Sequence, residues 1–132
     1  MKNNSNIMNE LTKAEEQIMQ ILWEKEKAFV KDIIDEMPKP KPAYNTVSTI
    51  IRTLEKKKFV DHKSYGGSHQ YFPIVMKSDY TKLFMKRVFN NYFDNSLREM
   101  VSFFSKERDL NINEVDEAIK LMQEIKKQKK HE

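Results

Sequence analysis

Apolar residues recur along this chain with a helical period, then with an alternating one, then with a helical one again. Ala14, Ile18 and Ile21/Leu22, with Met19 and Trp23 beside them, fall at i, i+4 and i+7/i+8. That spacing places one apolar stripe on a helix. Thr12 followed by Glu15 is a capping-box pair at its start, so the first helix is expected at about 12–26. Trp23 reads as a core anchor. Val30, Ile33, Ile34 and Met37 predict a short second helix over about 30–37. Pro38, Pro40 and Pro42 then interrupt the chain. A proline cannot continue a helix but suits the first turn of the next. From Pro42 to Lys58 the helical period returns with Val47, Ile50/Ile51 and Leu54. Helix–turn–helix is the natural reading of 30–58.

After Lys58 the pattern changes. Phe59 to Lys63 and His69 to Ile74 are β-prone runs around Ser64-Tyr65-Gly66-Gly67-Ser68, where the chain's two glycines suit a turn with positive φ. Three helices followed by such a hairpin predict a winged helix. Helical spacing resumes at Ser78, a candidate cap for a helix over about 79–92 carrying Tyr80, Leu83, Phe84, Val88 and Tyr92. Asn95 or Ser96 begins another, with Leu97, Met100, Val101 and Phe104 inward. Asn111 with Glu114 caps the last, which carries Val115, Ala118, Ile119, Met122 and Ile125. The closing Lys126-Lys127-Gln128-Lys129-Lys130 is expected to be solvated and frayed. The expected class is mainly α with a small β wing: a polar tail at 1–9, a winged-helix domain at 10–76 and a helical domain at 77–132.

Charge sharpens the picture of the third helix. The chain of 132 residues has a net charge of +4. Between Lys39 and Lys63 alone, seven basic residues face two acidic ones, a local excess of +5. Off the apolar stripe lie Asn45, Thr46, Ser48, Thr49 and Arg52, short hydrogen-bonding side chains and one guanidinium. The major groove of DNA admits such a helix and presents partners for these groups. They are the base-reading candidates; an ordinary solvated helix face is the alternative. Lys63, His69 and Gln70 on the hairpin are candidates for the DNA backbone.

The 77–132 segment is short for an independent core, yet it holds Tyr80, Phe84, Phe89, Tyr92, Phe93, Phe103 and Phe104. A symmetric dimer through Phe84, Val88, Tyr92, Leu97, Met100, Val101, Phe104, Ile119 and Met122 would close that surface and present two recognition helices to two half-sites. The alternative packs these helices onto the winged helix of their own chain.

Catalytic chemistry finds no support. There is no cysteine, hence no disulfide and no thiolate ligand, which fits a reducing cytoplasm. There is no Gly-rich phosphate loop and no HExxH. Glu15/Glu16 and Asp35/Glu36 read as surface charge. His62 and His69 lie in opposite hairpin strands; with Asp61 they are too few for zinc and read as surface or phosphate contacts. No cofactor and no metal are expected. No apolar run is long enough to span a membrane, and MKNNSNIMNE lacks the apolar stretch of a signal peptide.

The words LTKAEEQIMQILWEK, TVSTIIRTLEKKKFVDHK, QYFPIV with SDY, and KERDLNINEVDEAIKLM resemble the penicillinase-repressor family, the group that also contains the methicillin-resistance repressor. The resemblance covers about 10–126. It implies a transcriptional repressor that binds a palindromic operator in double-stranded DNA as a homodimer. Lys56 and Lys57 match basic family positions near the DNA backbone. It also implies a partner membrane β-lactam sensor protease system, which relieves repression by a cut in the dimerisation region. The matching place is Ser102-Phe103-Phe104; the family cut falls at an Asn-Phe pair, and here serine precedes Phe103. A copper-responsive branch uses C-terminal cysteines that this chain lacks. The other readings are a winged helix that binds protein, or a repressor of unrelated genes not controlled by proteolysis.

Overall fold

The computed structural model describes residues 10–131; the expected polar tail at 1–9 lies outside them. The first helix, α1, runs Lys13–Lys25. Thr12 caps it, accepting from the Glu15 backbone N–H, while the Glu15 carboxylate accepts from the Thr12 N–H at 2.9 Å. Ile18, Met19 and Leu22 are fully buried. Trp23 packs against the core and donates its indole N–H to the Val75 carbonyl at 2.8 Å.

A strand that the apolar pattern does not announce follows. This is β1, Ala28–Phe29, two residues long. It is held by its partner rather than by its own alternation. Next comes α2, Val30–Asp35, shorter than expected. Its last turn loosens into Met37, which is still buried. Lys41 reaches back and donates from Nζ to the Asp35 and Met37 carbonyls at 2.8 and 2.6 Å, satisfying groups that the helix end leaves open. That ammonium therefore serves the turn. The Lys39–Pro40 peptide is cis.

The third helix, α3, runs Tyr44–Lys56. The hairpin is β2, Val60–Tyr65, with β3, Ser68–Pro73. Both strands extend further into the turn than expected, leaving only Gly66 and Gly67 between them. Gly66 sits at φ 61°, the left-handed region where a glycine is not strained. The sheet is antiparallel with order β1-β3-β2, and His62 pairs with Tyr71 while Lys63 pairs with Gln70. Phe59, Ile33, Ile51, Leu54 and Val47 close the core under it.

Helix α4 spans Lys77–Phe93. It starts before Ser78, so Ser78 lies inside the first turn and is not its cap. Tyr80 belongs to the winged-helix core: it is buried, accepts from the Leu11 N–H through its hydroxyl at 2.9 Å, and packs edge-on to Phe59. The chain divides into two compact units between Lys86 and Arg87, ten residues beyond the expected join at 76/77.

In the second unit, Asp94 and Asn95 take positive φ at the end of α4. Ser96, rather than Asn95, caps α5, Leu97–Glu107, accepting from the Glu99 N–H. Asn111 and Glu114 form the anticipated capping box of α6, Ile112–Lys129. The lysine run is helical through Lys129, contrary to the expectation of fraying. No helix among the described residues is long and apolar enough to cross a membrane.

Candidate nucleic-acid interface

The face of α3 follows from its period. At about 100° per residue, Val47, Ile51 and Leu54 cluster within about 60° and are buried. Asn45, Thr49, Arg52 and Lys56 cluster within about 60° on the opposite side, and all four are exposed. Thr46, also exposed, lies on one flank. The hydroxyls of Thr49 and Thr53 donate to the Asn45 and Thr49 carbonyls at 2.8 and 3.1 Å. Their oxygens keep lone pairs for an incoming donor.

Ser48 does not join this face. It is 7% exposed. It stands about 100° from Val47, on the flank where Glu55 meets β2, so the buried arc is wider than the aliphatic residues alone define. The second correction is Lys57. Its ammonium does not stand free for a phosphate but bonds the Glu15 carboxylate at 2.8 Å, tying the end of α3 to the first turn of α1. Glu15, expected as surface charge, is 5% exposed. Burial pushes its pKa up, but Lys57 and the Thr12 N–H together outweigh that and hold it below the usual carboxylate value.

The wing brings its candidates together. Lys63 and His69 are exposed and Gln70 is half-buried. Gln70 sits across from Lys63, and His69 across from Ser64. The His62 and His69 rings lie 4.1 Å apart, and His62 Nδ1 is 2.9 Å from Glu55 Oε2. Beneath them, burial and the nearby Glu55 carboxylate raise the Tyr71 pKa.

Two aromatic residues that the sequence did not mark as site candidates frame this surface. Tyr44 opens α3 at 59% exposed, and Tyr65 ends β2 at 50%. With Lys31, Phe29 and His69 they line an open cleft of about 400 Å³ between α2, α3 and the wing. The signal was the position of Tyr44, one helical turn before Ser48 and just after Pro42-Ala43. Phe29 and Tyr65 meet edge-on at 6.1 Å, which fixes the tip of β2 over α2.

In the second unit, the dimerisation candidates carry exposed apolar surface. Tyr92 is 78% exposed, Val101 56%, and Leu97, Phe104, Ile119 and Met122 are about half exposed. Val88 and Met100 are half-buried, and Phe84 lies on α4 in the first unit. No residue of α5 or α6 is buried. Ser102, Phe103 and Phe104 lie in the middle of α5.

A helix–turn–helix followed by a hairpin, with a polar, cation-flanked third helix, defines a winged-helix domain. The penicillinase repressor family matches over residues 11–124. The chain is similar to the methicillin resistance regulatory protein MecI of Staphylococcus aureus, 31% identical over 109 residues that cover 82% of this chain and 89% of that one. It is similar also to the penicillinase repressor of Bacillus licheniformis, 25% identical over 122 residues covering 92% and 95% of the two chains. Among solved structures, it resembles the solution structure of the DNA binding domain of the repressor BlaI, at 26% identity and a TM-score of 0.49, covering 61% of this chain and 94% of that one. The chain belongs to the penicillinase repressor family. It is therefore a transcriptional repressor and not an enzyme.

Proposed function

We propose that this repressor acts in the cytoplasm as a homodimer on a palindromic operator, with one α3 in the major groove of each half-site. The observation that carries the reading is the open face formed by Asn45, Thr49, Arg52 and Lys56, with Thr46 beside it. Arg52 is the candidate for a bidentate contact to guanine, and Asn45 for one to adenine. Lys56 on this face and Lys63 on the wing are the phosphate contacts, with His69 and Gln70 beside Lys63. Lys57 ties the end of the helix to α1 through Glu15. The exposed apolar residues of α5 and α6 supply the dimer surface.

Gel retardation with DNA fragments from upstream of its own coding region tests the reading. A retarded band is expected, and its affinity falls with salt at a slope of about −0.9 per phosphate neutralised. No band at low salt would instead favour a winged helix that binds protein.

Relief by proteolysis is a separate part of the proposal. A membrane β-lactam sensor system leads to a cut beside Phe103, freeing β-lactam resistance genes. Mass spectrometry of the chain from β-lactam-treated cells tests this. Fragments ending at Ser102 support it; an intact chain makes it a repressor of other genes, released in another way.

A further inference from the structure

The end of α3 and the start of the wing converge on one chemical cluster that DNA reading does not use. Glu55 lies in the last turn of α3; Asp61 and His62 lie on β2. One ligand atom from each of the three sits within 4.8 Å of the other two. They form the one group of this kind among the described residues. His62 Nδ1 and Glu55 Oε2 are already 2.9 Å apart.

We propose that Glu55, Asp61 and His62 form a binding site for one divalent transition-metal ion, for which zinc is the natural probe. A tetrahedral zinc with bonds of about 2.0–2.2 Å spaces its ligand atoms by about 3.3–3.6 Å. The Glu55–His62 separation needs to open by about half an ångström, and the third ligand, within 4.8 Å of the others, needs to close by about 1.5 Å at most. Both are side-chain adjustments. One imidazole and two carboxylates suit zinc, nickel or copper better than calcium, which takes oxygen ligands alone. Three protein ligands leave a fourth position for water.

Two features of the surroundings favour the site. β2 is an edge strand, so its outer side is not occupied by another strand. His62 donates its backbone N–H to Asp61 Oδ1 at 2.8 Å, which draws the Asp61 carboxylate round to the His62 side of the strand. Alternate side chains of a strand otherwise point to opposite faces, so this bond is what makes the pair able to converge. The His62 ring also packs against two neighbouring rings, His69 at 4.1 Å and Tyr71 at 5.5 Å, which restrict its orientation. His69 is thus a positioning residue for the ligand ring. A bound ion replaces the Glu55–His62 hydrogen bond by two metal bonds and fastens α3 to the wing.

Isothermal titration of the full chain with zinc chloride, in a buffer free of chelators, tests the proposal. One zinc per chain is expected. His62→Ala and Glu55→Gln each weaken binding at least tenfold, whereas His131→Ala, outside the cluster, leaves it unchanged. Circular dichroism of each variant checks that the fold persists. Cobalt(II) provides a readout independent of stability: the full chain develops the intense visible bands of a four-coordinate ion, and His62→Ala does not. Absence of binding heat, or zinc binding that survives both His62→Ala and Glu55→Gln, overturns the site.

Discussion

The two units of this chain use apolar residues in opposite ways. In the first, Ile18, Met19, Leu22, Ile33, Ile51, Leu54 and Phe59 are all 0% exposed, and the core is closed by side chains of the same unit. In the second, α5 and α6 bury nothing, and Tyr92, Val101, Phe103, Phe104, Ile119, Leu121 and Met122 stand about half exposed or more. Both helices are nevertheless capped: Ser96, Asn111 and Glu114 satisfy backbone N–H groups at their starts. Local signals define these helices, but among the described residues they lack the hydrophobic burial that normally supports helices of this length. The contrast separates a part that folds around its own core from a part that leaves its apolar residues open, the surface that the proposed dimer would cover.

The largest effect that sharpens this contrast is expected at Phe59. Phe59→Ala empties a fully buried ring site and costs about 3–5 kcal/mol, read by urea unfolding of the full chain. Phe104→Ala, at a position 48% exposed, leaves no such internal cavity. Its loss appears instead as a weaker dimer, with a dissociation constant raised about tenfold or more. Equal, concentration-independent losses for the two variants would erase the distinction between the units.

Next is the buried pair joining α1 to α3. Lys57→Met leaves the Glu15 carboxylate buried without its cation and costs about 3 kcal/mol. Because the Glu15 pKa is lowered in the folded state, its contribution is present above the unfolded value near 4.5 and is lost as pH falls through the folded value. Glu15→Gln therefore flattens that part of the acid limb of stability, measured by unfolding between neutral pH and the carboxylate range. A Lys57→Met variant as stable as the parent but unable to bind DNA would return Lys57 to the phosphate backbone.

Arg52→Ala comes third. It is expected to relax specificity at one base pair of each half-site, by on the order of 1–3 kcal/mol, measured by competition between operator variants. Uniform weakening on every sequence would make Arg52 a backbone contact. Smallest is Ser48→Ala. A buried hydroxyl off the reading face changes operator preference by less than about 0.5 kcal/mol, in contrast to Thr49→Ala one residue away.

What was legible in the sequence follows the same division between local and distant causes. The capping boxes at Thr12/Glu15 and Asn111/Glu114, the stripe of Val47, Ile51 and Leu54, and the glycine turn are all set by residues within a few positions of each other. They were read correctly. β1 was not, because two residues carry no period; Ala28 and Phe29 are strand only through Tyr71 and Gln70. Lys57 and Glu15 meet across 42 positions, so the lysine was expected near the DNA backbone and the carboxylate was read as surface charge. Ser48 was misplaced because the buried arc of α3 is widened by the wing rather than by the helix. Tyr80 joins the first core although it lies on a helix shared with the second unit, which is why the join falls at Lys86 instead of beside the hairpin. The helical period alone placed Asn45, Thr49 and Arg52 on the exposed side of α3, whereas Lys56 came from the family resemblance.

The most direct measurement is sedimentation equilibrium of the full chain at micromolar concentration. A species at twice the chain mass of 15.8 kDa is expected, falling toward the single-chain mass on Phe104→Ala. A mass that stays at 15.8 kDa across the concentration range contradicts the claim that a second copy covers the apolar helices of the second unit.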